Sequence, residues 1–190
     1  MGLDEEFRRI QENHKEQIRR RLARVVIGSS IARVFKKGSV EEIWPVLTEI
    51  PVDELPGLKN QEEFKEWFEK QLNRLARRID RTNPGNRRIR PGYKWGHATK
   101  ILCLYLRDIT LHREYFVDGQ VERVTRWLYV PLDSVNMASL RRCGVPLDFC
   151  KIKEIDTGDK FYQVQDQLGR AAERAGVPRI WFDDNWSGHA

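Results

Sequence analysis

GHATKILCLYLRDI, residues 96–109, is the stretch on which the fold turns. After its first turn, Ala98, Ile101, Leu102, Cys103, Leu104, Tyr105 and Leu106 leave almost no polar face. A helix apolar nearly all round runs through the middle of a fold. Lys100 lies in its first turn or so, on the side shared by His97, Leu104 and Arg107.

Working outward, the chain predicts helices on both sides of this one. Phe7, Ile10, His14, Ile18, Leu22 and Val25 make Asp4 to about Val26 an amphipathic helix, stopped by Gly28-Ser29-Ser30. Ser39 with Glu42 reads as a capping box before Ile43, Trp44 and Leu47, and Asn60 with Glu63 opens a helix bearing Phe64, Trp67, Phe68, Leu72, Leu75 and Ile79. Beyond the central helix, Val117-Asp118-Gly119-Gln120 fits either a hairpin turn or a helical excursion. A short helix from Asp133 to about Arg142 should turn Val135, Met137 and Leu140 inward, and Asp159 starts another that ends at Gly176 and Pro178. The tail, Ile180 to Trp186, is aromatic enough to pack back onto the body. The expected fold is all-α, with at most one small hairpin, in a single domain over residues 1–190. VPLD occurs twice, at Val130 to Asp133 and at Val145 to Asp148, which is common helix-start chemistry rather than a repeat.

Composition narrows the class. With 190 residues, 40% of them hydrophobic and 33% charged, the chain can bury a sizeable core. No apolar run approaches the ~18 residues of a membrane span, and residues 1–26 are crowded with charge where a secretory signal is apolar, so a cytoplasmic protein with no membrane partner is expected. Cys103, Cys143 and Cys150 are odd in number and read as free thiols. The Cys143–Cys150 spacing lacks the other cysteines of an iron-sulfur set, and no two histidines chelate, so no metal and no cofactor are expected.

The net charge of +6 is uneven: Arg77, Arg78, Arg81, Arg87, Arg88, Arg90 and Lys94 place seven cations in eighteen residues, against Asp80 alone. Two Pro-Gly-type turns make most of this a loop, beside Tyr93 and Trp95 and just before the central helix. Guanidinium forks and backbone N–H groups there suit an anionic backbone, so nucleic acid is the natural partner.

Two further residues carry candidate chemistry. Lys100 lies near the start of the central helix, where the positive end of the helix dipole works against an ammonium, and a neutral lysine amine is a nucleophile. Asp133 follows Val-Pro-Leu at a helix start, where N–H groups hold a carboxylate ionised opposite a developing positive charge.

The run Pro91-Gly92-Tyr93-Lys94-Trp95-Gly96-His97-Ala98-Thr99-Lys100, the apolar helix, and Val130-Pro131-Leu132-Asp133 before a helix ending in Arg141-Arg142-Cys143-Gly144 together resemble the helix-hairpin-helix DNA glycosylase superfamily. The interval from Lys100 to Asp133 is closest to the archaeal 8-oxoguanine glycosylases. The likeness covers about Pro91 to Gly144, and the family's hairpin is stretched here by an aromatic and basic pair.

The resemblance implies two helical lobes with a central cleft, about 91–150 forming the hairpin and catalytic lobe and the N-terminal helices with the C-terminal helix forming the other. It implies a monomer that binds duplex DNA, flips out a damaged or modified base and excises it, in repair or in defence against modified foreign DNA, with or without lyase activity. Lys100 and Asp133 would be catalytic, with Asp148 competing for the acidic role. Arg87, Arg88, Arg90, Gly92, Tyr93, Lys94, Trp95 and Gly96 would grip DNA, and Trp127, Trp181 and Phe182 would wall the base pocket. The alternative reading is a helical nucleic-acid-binding module without catalysis.

Overall fold

Helices α1 (Leu3–Ser30), α2 (Ser39–Thr48), α3 (Gln61–Thr82) and α4 (Trp95–Thr110) are followed by α5 (Gln120–Trp127), α6 (Ser134–Arg142), α7 (Gly158–Ala175) and α8 (Trp181–Trp186). This computed structural model describes residues 2–85, 95–117 and 119–186, and no strand occurs among them. The expected all-α class holds. The ambiguity at Val117–Gln120 resolves as a helix start: Gly119, at φ 79°, turns the chain into α5.

Helix α4 is the hub. It packs on α1, α3 and α5, and it buries Ala98, Ile101, Leu102, Cys103, Tyr105, Leu106 and Ile109. Helix α3 lays Phe64, Phe68, Leu72, Leu75 and Ile79 against the same core, which also takes Phe161, Val164 and Leu168 from α7. Each such side chain contributes about 1.5–3 kcal/mol by leaving water. Asn60 caps α3 as expected, accepting from the Glu63 N–H at 2.9 Å.

Three local expectations are corrected. Helix α1 runs through Gly28 to Ser30, because Val26, Ile27 and Ile31 are buried and their packing outweighs the ~1 kcal/mol penalty of a helical glycine. Only the second half of α1 is sunk in the core: Phe7 and Ile10 are exposed, Val25 is half-exposed, and Ala23, Val26 and Ile27 face inward instead. Ser39 is not a cap. Gly38 takes that position, and the Ser39 hydroxyl donates to the Thr82 carbonyl at 3.0 Å, pinning the start of α2 to the end of α3.

The segment leading into Asp133 is irregular but tightly held. Gln165, fully buried on α7, accepts from the Val130 N–H at 2.9 Å and donates to the Val130 carbonyl at 2.8 Å, standing in for a strand partner. Arg179 donates to the Leu128 carbonyl at 2.8 Å and the Trp127 carbonyl at 2.6 Å, with its guanidinium 4.4 Å from the centre of the Tyr129 ring. These bonds set where α6 begins.

At the other end of the candidate region, the Gly96 N–H donates to the Ile155 carbonyl at 3.0 Å. A Cβ on Gly96 would stand 1.9 Å from the Ile152 carbonyl oxygen, so only glycine lets α4 start against that turn. Gly28 is the opposite case, with nothing within 4 Å of an added Cβ. Gly96→Ala should therefore destabilise the protein by about 2–3 kcal/mol in urea unfolding, while Gly28→Ala should stabilise it by ~0.5–1 kcal/mol.

Candidate functional site

Asp133 ends the held segment and caps α6. Its Oδ1 accepts from the Val135 and Asn136 N–H groups, both at 3.0 Å, which satisfies two of the donors left open at the helix start. Its second oxygen, Oδ2, stands 3.1 Å from Lys100 Nζ on α4. Both side chains are largely sheltered, at 12% exposure for Lys100 and 26% for Asp133. The two residues singled out in the sequence thus form one ion pair across facing helices. A burial of this degree leaves the pair less screened than a surface salt bridge.

The same face of α4 carries a second pair one and a half to two turns further on. Arg107 is ion-paired with Asp183 of α8 and donates from Nε to Asp108 Oδ1 at 2.9 Å. Asn136 links the two pairs: its Nδ2 donates to the Asp183 Oδ1 at 2.6 Å and to the Pro131 carbonyl at 2.8 Å, while its N–H serves Asp133. Lys100, Asp133, Asn136, Asp183 and Arg107 therefore form a continuous polar seam between α4, α6 and α8. Asp183 is only 6% exposed. Burial pushes its pKa up, the Asn136 hydrogen bond and the Arg107 guanidinium oppose that rise, and the nearby Asp133 charge adds to it.

Sequence reasoning placed Asn136 nowhere and expected Val135 to point inward. The structure reverses this: Val135 is exposed at 38%, and Asn136 is buried with its Nδ2 donating to both the Pro131 carbonyl and Asp183. Asp183 was hidden inside the aromatic tail, whose packing was expected but whose acid had no pattern to mark it.

The two VPLD segments differ. Asp148 is exposed in an irregular stretch and starts no helix, so Asp133 alone has the cap geometry expected of the acidic residue. Gly96 is corrected as a backbone-gripping residue, and Trp95 is half-buried. The Gly96 N–H is already spent on Ile155, and the Trp95 ring packs edge-on against Phe161 at 6.0 Å and Tyr162 at 6.2 Å. Arg87, Arg88, Arg90, Gly92, Tyr93 and Lys94 lie outside the described residues.

Of the expected pocket aromatics, Trp127 is a core residue at 9% exposure, 6.3 Å from the Phe64 ring. Trp181 is half-exposed and, with Phe182, lines a cavity of about 300 Å³ walled by Leu168, Ala171, Ala172 and Pro178. That cavity adjoins Asp183 in the chain. No cluster of three or more potential metal ligands occurs among the described residues. Among these residues, no helix is long and apolar enough to cross a membrane.

No family model, no curated protein and no solved structure matches the chain.

The Asp183 environment yields a pH test. A carboxyl whose folded pKa is raised contributes stability that is fully present below its unfolded value and is lost as pH climbs through its folded value. The stability difference between the wild type and Asp183→Asn should accordingly shrink from the wild-type side as pH rises above about 4. Urea unfolding over a pH series reads this directly, and a flat difference would contradict it.

Proposed function

We propose that the protein is a DNA glycosylase that excises a damaged or modified base, with Lys100 as nucleophile and Asp133 as its acid–base and electrostatic partner. The observation that carries the reading is the 3.1 Å approach of Lys100 Nζ to Asp133 Oδ2, from helices 4 and 6, at the two positions the sequence marked.

The chemistry follows from the pair. An ammonium is no nucleophile, and Asp133 is placed to take its proton. The freed amine attacks C1′ of a flipped-out nucleotide, the C1′–N bond breaks, and its electron pair leaves with the base, which gains a proton. Positive charge that develops on the sugar faces the Asp133 carboxylate. The amine nitrogen's electron pair then forms the C=N bond as C1′–O4′ breaks and O4′ takes a proton, giving a Schiff base; loss of a C2′ proton with departure of the 3′ phosphate would cut the strand. Extruding the nucleotide costs a few kcal/mol, and Arg87, Arg88, Arg90 and Lys94 would supply phosphate contacts that can offset it. Phe182 immediately precedes Asp183 of the seam in sequence, and Trp181 stands one residue before that.

A second reading has its own support: a sheltered Lys–Asp pair can simply dock α6 on α4, in a nucleic-acid-binding module without catalysis. Borohydride trapping on duplexes carrying a panel of modified bases separates the two. The glycosylase should be trapped covalently, Lys100→Gln should abolish trapping, and Asp133→Asn should slow base release by about 10²-fold or more while duplex binding survives both changes. Base release untouched by Asp133→Asn, or trapping that persists without Lys100, would sink the mechanism. Binding with no release on any duplex would leave the module.

A further inference from the structure

Helix α3 divides its charge along its length. Residues 61–69 hold Glu62, Glu63, Glu66 and Glu69 with one lysine, and residues 70–82 hold Lys70, Arg74, Arg77, Arg78 and Arg81 with one aspartate. Favourable interaction with the helix dipole explains cations only in the last turn. It leaves Lys70, Arg74 and Arg77 unaccounted for.

Lys70, Asn73, Arg74, Arg77 and Arg81 line one outward groove of about 370 Å³, and all five are exposed. Arg74 is ion-paired with Glu49, whereas Lys70, Arg77 and Arg81 form no ion pair among the described residues. Like charges three and four residues apart repel and weaken a helix. Only Arg74 has an acid to match it, so an anion entering the groove relieves the repulsion among the other three.

We propose that this groove is a DNA-backbone site, a track for consecutive phosphates of one strand of a duplex. The inference rests on the DNA reading above but uses none of its catalytic residues. From Lys70 to Arg81 the helix advances about 16 Å, and successive phosphates of one strand advance ~3.4 Å along the duplex axis. The stripe is thus long enough to follow several phosphates of one strand. Guanidinium forks and an ammonium with an amide between them suit phosphate oxygens without reading bases.

The test is the salt dependence of binding to an unmodified duplex of 30 base pairs. Each phosphate contact contributes about 0.9 to the slope of log K against log salt. The exposed triple variant Lys70→Gln, Arg77→Gln, Arg81→Gln should lower that slope by roughly 2–3. A control with the same loss of charge elsewhere, Arg8→Gln, Arg21→Gln, Lys37→Gln, should change it by less than 1.

Equal slopes for the groove variant and wild type would overturn the proposal, as would an equal drop in the control. Binding to phosphatidylserine vesicles that depends on the groove, with none to duplex DNA, would overturn it too. Borohydride trapping is run alongside: if trapping fails on every duplex while the groove still sets the slope, the catalytic reading falls and the DNA track stands. Unchanged slopes with trapping through Lys100 give the reverse.

Discussion

The two ion pairs on one face of α4 are the constraint around which the second half of the molecule is arranged. Lys100 and Arg107 are seven residues apart on a helix whose buried surface is mostly apolar; Lys100 meets a carboxylate delivered from elsewhere, and Arg107 meets one in addition to that of its neighbour Asp108. Asp133 comes from the start of α6 and Asp183 from α8, and Asn136 ties those two acids together. Sheltering charge is costly, and such pairs are often no better for stability than apolar residues of the same size. What they do supply is direction: α6 and α8 meet α4 where Asn136 serves both acids and each acid meets its cation. Apolar contacts make no such directional demand.

That arrangement also explains what could be read in advance. Helices α3, α4 and α7 were legible because their apolar periodicity is long and uninterrupted, and Asn60 was legible because its capping partner Glu63 sits at a fixed offset. The Lys100–Asp133 pair was legible for a similar reason: each lies at a helix start marked by turn residues. The exposed first half of α1 was not, since an amphipathic stripe states that a face is apolar and says nothing about whether the body reaches far enough to cover it. Ser39 failed as a cap because the Thr82 carbonyl, 43 residues away in sequence, competes for its hydroxyl. Asn136 and Asp183 are long-range partners of the same kind.

The duplicated VPLD makes the point within one chain. Both copies place an acid after a proline, yet only Asp133 begins a helix. The local signal is identical, so the difference lies in what surrounds it. Upstream, Gln165 and Arg179 hold Trp127, Leu128 and Val130 by their backbone groups, fixing the direction in which the chain enters α6. Downstream, Met137 and Leu140 fall on one buried face. Asp148 instead precedes Phe149 and Cys150 and the short turn at Ile152–Glu154, on which Gly96 packs.

The division of labour between the two Asp133 oxygens bears on the chemistry proposed for it. Oδ1 is committed to two backbone N–H groups of α6, which fixes the carboxylate plane and leaves Oδ2 toward Lys100. A proton moving from Nζ would arrive on Oδ2 without disturbing the cap, because the helix N–H groups hold the other oxygen. A group that accepts a proton, faces cationic sugar and then returns the proton needs both properties, a fixed oxygen and a reactive one. An asparagine at this position would keep the first through its carbonyl and lose the second. The cap and the proposed chemistry therefore separate in a single substitution, which is uncommon for a residue that supports fold and reaction together.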